Sequence, residues 1–348
     1  MKKSFRTILA ALLALCFMFA FAASAGAVEA AYELIGQLET VDYGNLIEYD
    51  YINKTERIIS QDEIFDYASV TKTTYELDGM KSELDRLAEM NASMSVVMDG
   101  GVSTFSFVNP DEPYTLSPPI VNGAYQSAAS GTVLLVLGID KNNDGYTDEY
   151  GRATGFMVSP KVMVTAGHCV YGDPSSTDKI VEVRVYPFYH GSPRPDKLSG
   201  EYFIYPASWI GSTKYAPGNG HDWSIVTLQQ AIPNAYNFPC SYTRVVKDSP
   251  IYVTGYPQLN GNEDDCYQRC SAGVIIADAS MDGYGRELGH TCNTDVGSSG
   301  SPIWNWDIAF PCICVGIHVS DFLPNIANLG VGIDENLYNY ICDRINKS

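Results

Sequence analysis

From residue 132 onward the chain is a succession of short β-rich runs separated by turns, and this spacing constrains the fold more than any other feature of the sequence. Runs of this kind, bounded by turn-forming residues, are typical of an all-β barrel or sandwich. They are Thr132–Leu137, Thr154–Val158, Val162–Thr165, Val181–Tyr189, Ser224–Leu228, Ile251–Tyr256, Gly273–Ala277, Ile313–Val319 and Gly330–Ile333. After Asp334, a residue type that caps helices, apolar side chains recur at helical spacing. The sequence therefore predicts an all-β domain that ends in a short helix.

The first residues of the chain have the charge pattern of a secretory signal. Lys2, Lys3 and Arg6 precede an apolar run from residue 8 to residue 23, and small residues follow at positions 23–27. The run is short for a membrane span and is followed by cleavage-type residues rather than by charged ones. We therefore expect residues 1–27 to be a signal peptide that is removed on export, and the protein to be secreted into the extracellular space.

A sharp change in composition divides the rest of the chain. Residues 28–112 contain 18 acidic residues, 5 basic residues and no cysteine, whereas residues 113–348 contain 23 acidic residues, 14 basic residues and eight cysteines. A proline-rich stretch at 109–119 accompanies the change and indicates a linker. Residues 64–90 have the apolar spacing of one or two amphipathic helices. We interpret residues 28–115 as a small mixed α/β propeptide that acts as a removable inhibitor or folding aid.

Charge and cysteine content limit the partners and the redox compartment. A formal net charge of -19 and a pI near 4.5 leave no basic surface to neutralise phosphates, so neither nucleic acid nor a membrane is an expected partner. An even number of cysteines in an exported chain predicts disulfides, and the absence of a C-x-x-C pair argues against zinc. The spacing of the cysteines does not assign any pairing.

Three short strings supply a base, a carboxylate and a nucleophile in that order along the chain. His168 lies in T-A-G-H-C, Asp222 in H-D-W-S-I-V and Ser299 in D-V-G-S-S-G-S-P. A hydroxyl is a weak nucleophile at neutral pH and needs an imidazole to take its proton, and the imidazole needs a buried carboxylate to fix its tautomer. We predict that these three residues form a catalytic triad. Tight turns beside the nucleophile make the N–H groups of Gly297 and Ser299 the candidate oxyanion hole.

These strings resemble those of the chymotrypsin-fold serine endopeptidases, which carry His, Asp and Ser in the same chain order. The S-G-S-P form, and the tail G-V-G-I-D-E-N-L-Y-N-Y-I at 330–341, are similar to the bacterial glutamyl endopeptidase (V8-like) branch. The resemblance runs from about Ala124 to the C-terminus. It implies a chymotrypsin-like double β-barrel with the triad in the cleft between barrels. Residues 116–235 would form the first barrel, and residues 236–348 the second barrel and the C-terminal helix.

The resemblance also implies a preference for Glu, and less for Asp, at P1, the substrate residue before the cleaved bond. In the branch, a Thr and a His bind the P1 carboxylate; the matching positions are Thr294 and His318, with Val319 next on the substrate-binding strand. A buried carboxylate requires charge-assisted donors, which these side chains can supply. Asn293, which stands where a protease specific for basic residues would carry an acid, argues against that specificity. His290, nine residues before Ser299, has two candidate roles, support of His318 from behind the pocket and ordinary packing, and we expect ordinary packing.

One further string resembles a metal-binding loop. Asp140, Asn142 and Asp144 precede Gly145 at the spacing of a calcium loop. The twelfth position is Gly151 rather than the usual bidentate Glu, and the string lies between two predicted strands instead of two helices. Both a structural calcium site and a plain acidic hairpin turn are consistent with this string.

The sequence as a whole predicts a secreted serine endopeptidase that forms an acyl-enzyme on Ser299 and needs no cofactor for catalysis. Its expected partners are protein or peptide substrates and its own propeptide before maturation by cleavage between about residues 112 and 131; we expect a monomer. Two alternatives stay open. One is a chymotrypsin-fold protease with a different P1 preference, and the other is a catalytically inactive relative that serves as an extracellular binding module.

Overall fold

The computed structural model of the protein describes eleven parts of the chain. They are residues 45–68, 123–172, 176–189, 197–211, 220–242, 245, 247–258, 267–281, 285–305, 312–323 and 327–348. The predicted signal peptide, the 109–119 linker, most of the 64–90 helical region and Cys266 lie outside the described residues. None of the helices that the structure describes is long and apolar enough to cross a membrane.

Six antiparallel strands close into a first barrel. They are β3 (Thr132–Asp140), β4 (Glu149–Met157), β5 (Val162–Thr165), β6 (Lys179–Tyr186), β7 (Leu198–Pro206) and β8 (Ser224–Leu228). Their spatial order is β7-β6-β3-β4-β5-β8, and pairing between β7 and β8 closes the ring. A short helix, α1 (Gly123–Gly131), leads into β3. Strand β5 is buried at all four positions, because its side chains fill the barrel core on one face and are covered by neighbouring structure on the other.

A second six-stranded barrel follows along the chain. Its strands are β9 (Pro250–Gly255), β10 (Arg269–Met281), β11 (Gly285–His290), β12 (Pro302–Asn305), β13 (Ile313–Leu323) and β14 (Ala327–Gly332), closed in the order β10-β11-β14-β13-β12-β9. Helix α2 (Glu335–Lys347) ends the chain, and its N-cap Asp334 accepts a hydrogen bond of 2.8 Å from the Leu337 N–H. The helix returns to the first barrel, where the Tyr340 ring stacks on Trp223 at 5.7 Å.

The predicted fold class is confirmed: the described residues form two closed six-stranded barrels followed by a short C-terminal helix. All nine predicted strands are present, several of them longer than expected. Strands β7, β11 and β12 were missed. The sequence of β11, G-R-E-L-G-H, has no β-branched residue, and its Arg286 is fully buried against the carboxylate of Asp278 on β10, with N–O distances of 2.8 and 2.9 Å. Tertiary contacts rather than local propensity make this segment a strand.

An N-terminal hairpin adds two strands to the first sheet. Strands β1 (Leu46–Asp50) and β2 (Thr55–Ile59) pair with each other, and β1 also pairs with β7. The Asp50 carboxylate closes the turn by accepting the N–H groups of Ile52 and Asn53 at 3.0 and 2.8 Å. This hairpin lies inside the range predicted to be a propeptide, and neither strand was predicted.

The predicted disulfides are not found among the described residues, which include seven cysteines. These are Cys169, Cys240, Cys270, Cys292, Cys312, Cys314 and Cys342. Two of them lie directly opposite each other, because Cys240 and Cys314 form an isolated parallel β-bridge. A hydrogen bond with Cys314, and burial, raise the pKa of the Cys240 thiol well above its usual value. The two cysteines are therefore adjacent.

Candidate active site

The first half of the candidate site is a histidine held by a buried aspartate. His168 lies in a short helical turn, Gly167–Cys169, that follows β5, and Asp222 lies two residues before the start of the neighbouring strand β8. The Asp222 side chain is fully buried. One of its oxygens lies 2.8 Å from His168 Nδ1, and the other accepts the backbone N–H of His168 at 2.8 Å. The carboxylate therefore fixes both the backbone and the ring of this histidine.

The second half of the site is a tight turn that presents Ser299. Gly297 and Gly300 flank the serine pair with φ of +94° and +86°, a region that favours glycine. A Cβ atom on Gly300 would lie 2.0 Å from the Thr154 carbonyl oxygen, so only glycine fits there. The Ser299 carbonyl accepts the Thr154 N–H at 2.8 Å and lies 3.8 Å from the Cys169 sulfur. These contacts bring the serine turn against the histidine turn of the first barrel.

The two predicted oxyanion donors both lie in this turn. Gly297 N–H and Ser299 N–H donate no hydrogen bond to the part of the chain that the structure describes, whereas the intervening Ser298 N–H donates to Asp295 O at 2.9 Å. The alternating pattern leaves two backbone donors beside the Ser299 hydroxyl. Such a pair can stabilise negative charge that develops on a bound carbonyl oxygen.

Strand β13 runs beside the serine turn and carries two of the three predicted substrate-binding residues, His318 and Val319. The Gly300 N–H donates to His318 O, and the His318 N–H donates to Ser301 O, both at 2.8 Å. The Ser299 hydroxyl donates to Val319 O at 3.4 Å. Thr294 lies half-buried on the segment between β11 and the serine turn. His318 and Val319 are therefore hydrogen-bonded to the serine turn.

The buried ring of His318 contacts a second buried histidine. His290 Nε2 lies 3.2 Å from His318 Nδ1, and burial lowers the pKa of His290 to about 3, so it is neutral. His290 Nδ1 has no hydrogen-bond partner among the described residues. A buried donor without a partner is costly, so the His290 proton belongs on Nε2, where it is donated to His318. His290 is packed in the core, as expected, and its ring also contacts His318, which is the alternative role considered for it.

Sequence reasoning also missed Thr154, which joins the two barrels at the site. Its fully buried hydroxyl donates to Gly297 O at 2.8 Å and accepts the Tyr256 N–H at 3.0 Å. These bonds hold the Gly297 peptide, on which the geometry of the candidate oxyanion hole depends. A single Thr at the start of a predicted strand gives no signal of this role, because both partners are about 100 residues or more away in sequence.

The predicted calcium loop is closed by its own hydrogen bonds. Asp140 Oδ1 accepts the Asn143 N–H at 2.6 Å, and its Oδ2 accepts the Gly145 N–H at 2.7 Å. The Asn142 side-chain oxygen accepts the Asp144 N–H at 2.9 Å. These are the bonds of an acidic hairpin turn. Across the described ranges, no group of three or more His, Cys, Asp or Glu side chains is placed to hold a metal ion; calcium binding stays a prediction.

The two barrels, with the His168–Asp222 pair on one and the Ser299 turn on the other, place the chain in the class of chymotrypsin-like double-barrel folds. Residues 153–308 match a family model described as "Trypsin-like peptidase domain". This match contains all three residues of the predicted triad. A solved structure described as a Glu endopeptidase in complex with MPD has a TM-score of 0.51 and 18% identity, over 68% of this chain and 98% of that chain.

Within that class, the predicted resemblance to the bacterial glutamyl endopeptidase branch is confirmed. A curated glutamyl endopeptidase from Bacillus licheniformis is 33% identical over 159 residues, which are 44% of this chain and 45% of the relative. The chain therefore spans less than half the length of this relative. A protease named Anisep from Arthrobacter nicotinovorans has a TM-score of 0.48 and 14% identity, over 62% of this chain and 96% of that one. The family model and the curated relative are both described as peptidases.

Proposed function

We propose that this protein is a secreted serine endopeptidase that cleaves peptide bonds through an acyl-enzyme on Ser299 and prefers Glu, then Asp, at P1. The observation that carries the proposal is the buried Asp222 carboxylate bonded to His168 Nδ1 at 2.8 Å. This bond places the ring proton on Nδ1 and leaves Nε2 as a base. A carboxylate with no access to solvent would also stabilise the imidazolium that forms when the base accepts a proton.

In the proposed reaction, the Ser299 hydroxyl attacks the carbonyl carbon and its proton passes to His168 Nε2. The negative charge on the carbonyl oxygen is met by the N–H groups of Gly297 and Ser299. The C–N bond then breaks, His168 returns the proton to the leaving amine, and an ester remains on Ser299. Water repeats the sequence and releases the acid product. No step in this scheme requires a cofactor.

Strand β13 offers a way to align the substrate. Its Val319 carbonyl accepts a long 3.4 Å bond from the Ser299 hydroxyl. A peptide that binds in extended conformation beside β13 would offer a backbone N–H to this carbonyl. The Ser299 hydroxyl would then be free to hydrogen-bond to His168. Binding of the substrate would therefore promote the hydrogen bond from Ser299 to His168 that activates the nucleophile.

The proposed P1 preference depends on His318. With its Nδ1 accepting from neutral His290, the Nε2–H of His318 would donate to the P1 carboxylate, and Thr294 would add a hydroxyl donor. A hydrogen bond to a charged group contributes about 1.5–3 kcal/mol, which corresponds to a roughly 10- to 100-fold preference for Glu over Gln.

Export would place the cysteines in an oxidising compartment, and we include a Cys240–Cys314 disulfide in the proposal. Neighbouring strands lie about 4.8 Å apart, which is within the Cα separation that a disulfide spans. In thiol–disulfide exchange, each of the two thiols would lose a proton and an electron, and a second disulfide, which acts as the oxidant, would be reduced to two thiols. Mass spectrometry of unreduced peptides from the exported protein tests this pairing. A linkage of Cys240 or Cys314 to any other cysteine would contradict it.

The activity itself is tested by profiling P1 preference. The exported and processed protein is incubated with a peptide library varied at P1, with Ser299→Ala as the control for a contaminating protease. We expect cleavage after Glu that is absent in Ser299→Ala. In His318→Ala the Glu-to-Gln ratio of kcat/KM should fall by roughly 10-fold or more. Cleavage after other residues would contradict the pocket assignment but keep the triad, and no cleavage by a folded, processed chain would favour a binding module.

A further inference from the structure

Residues 45–68, here called the N-terminal segment, are built into the first barrel. Strand β1 pairs with β7 over five positions, and backbone bonds of 2.9 Å extend the pairing by one residue at each end. On this side of β7, strand β6 pairs only with Ser199 and Leu198. The N-terminal segment therefore hydrogen-bonds to the part of the β7 edge that β6 does not reach. An edge of this kind, left open, exposes unpaired N–H and C=O groups.

The N-terminal segment also contributes side chains to the barrel core. Leu46 and Ile59 are 1% and 3% exposed and belong to the same hydrophobic cluster as the strands of the first barrel. The Tyr51 ring meets the Phe203 ring edge-on at 5.3 Å, and the Tyr51 hydroxyl donates to Val181 O at 2.9 Å. Removal of the segment would expose this apolar surface to water.

A buried ion pair links the N-terminal segment to the C-terminal helix. Glu48 on β1 binds Arg344 on α2, and the two side chains are only 12% and 9% exposed. Glu48 also accepts two hydrogen bonds from Arg57 on β2, at 2.9 and 3.1 Å. Loss of Glu48 would leave the Arg344 charge buried without this partner, which is unfavourable.

The end of the N-terminal segment is tied to the same helix by its backbone. The Ala68 N–H donates to Asn339 Oδ1 at 2.7 Å, and Asn339 Nδ2 donates to Asp66 at 3.1 Å. The Tyr242 hydroxyl donates to Ala68 O at 3.2 Å. The N-terminal segment is therefore held in place by strand pairing, core packing, an ion pair and these hydrogen bonds.

We propose that the N-terminal segment is a retained part of the mature protein: when the chain is cut between residues 112 and 131, the segment stays bound and a two-chain protein results. The expected removable propeptide would instead be released. The described contacts lie on β6, β7, Tyr242 and α2, and none involves His168, Asp222 or Ser299, so retention does not by itself block the site. This inference does not depend on the proposed activity.

The test uses the chain from residue 28 to residue 348 with Ser299→Ala, so that any self-cleavage is excluded. A recognition sequence for an unrelated, sequence-specific protease is inserted within residues 112–119, and cleavage is followed to completion on a denaturing gel. The product is then run on a native size-exclusion column. We expect both fragments in one peak, and their separation only after denaturant is added. Elution of the N-terminal fragment as a separate peak in native buffer would overturn the proposal.

Charge variants test whether the described contacts hold the fragment. In Glu48→Arg, dissociation of the cut fragment should be at least about tenfold faster, since a buried pair becomes a repulsion. The double variant with Arg344→Glu restores the pair with its charges exchanged and should slow dissociation again. Glu56→Arg makes the same charge change at an exposed position of β2 and should leave dissociation unchanged.

Folding of each variant is checked on the uncut chain by thermal unfolding. If Glu48→Arg does not fold, the double variant carries the test, and a folded double variant that retains its fragment supports the proposal. Equal dissociation rates for Glu48→Arg and Glu56→Arg would overturn the assignment of the contact to Glu48 and Arg344.

Discussion

At the scale of single residues, the candidate site is held by buried polar side chains that each bridge two parts of the chain. Asp222 fixes the backbone and ring of His168, Thr154 fixes the Gly297 peptide, and His290 orients His318. Their hydrogen bonds cannot be replaced by water without a change in packing, so conservative substitutions at these positions should have large and distinct effects.

Asp222→Asn tests the role of the carboxylate. An amide can accept only one of the two N–H groups that Asp222 now accepts, and its NH2 group would favour the other tautomer of His168. We expect kcat to fall by roughly 10³–10⁴-fold with little change in KM. Steady-state kinetics with a Glu-containing peptide measures this, and the exposed Asp62→Asn serves as the control. A loss of less than tenfold would contradict the assignment.

Thr154→Val removes the hydroxyl while it keeps the shape of the side chain. The Gly297 carbonyl and the Tyr256 N–H would lose their partner, which we expect to lower the free energy of unfolding by about 1–3 kcal/mol and kcat/KM by roughly tenfold or more. Thr227→Val is the matched control, because the buried Thr227 hydroxyl has no hydrogen-bond partner among the described residues. If denaturant unfolding and kinetics give equal results for the two variants, Thr154 does not hold the oxyanion turn.

The low pKa of His290 leads us to expect that the free energy of unfolding depends on pH. Burial lowers its pKa from 6.5 to about 3, so between these values the unfolded chain binds a proton that the folded chain does not. Stability from this group is therefore lost as pH falls from about 6.5 toward 3, by up to about 1.4 kcal/mol per pH unit. Denaturant unfolding between pH 7.5 and 4 should show a shallower loss in His290→Phe than in the parent. Identical slopes would show that His290 does not titrate in this way.

At the scale of secondary-structure elements, the sequence predicts an element where local preferences and tertiary contacts agree. Strand β5 has the predicted bounds, and α2 begins directly after its predicted cap. Strand β11 and the hairpin β1–β2 were missed because distant partners stabilise them: the Tyr242 and Ile333 carbonyls for Arg286, and β7 for β1. These partners carry no signal in the local sequence.

The cap of α2 can be tested alone. Asp334→Ala leaves the Leu337 N–H without its side-chain acceptor and should lower the free energy of unfolding by about 1 kcal/mol. Asp334→Asn, which can accept the same bond, should cost much less. Because α2 also holds Glu48 through Arg344, the Ala variant should release the cut N-terminal fragment faster as well. Equal stability of the Ala and Asn variants in denaturant unfolding would contradict the capping role.

At the scale of the whole molecule, the site exists only where the two barrels meet. His168 and Asp222 come from the first barrel and Ser299 from the second, and the bonds from Thr154 to Ser299 and Gly297 join them. The residue types and their order in the chain predicted the triad and the double barrel. The support from His290 and Thr154, and the place of the N-terminal segment, depend on contacts between residues far apart in sequence and could not be predicted from it.

The central claim is that this assembly activates Ser299 as a nucleophile. The most direct test is to treat the processed protein with a fluorophosphonate, which labels activated serines, and to record the intact mass. We expect one adduct per chain, mapped to Ser299, which is absent in Ser299→Ala and forms far more slowly in His168→Ala. A folded, processed protein that takes up no label, or labels equally fast without His168, would contradict it.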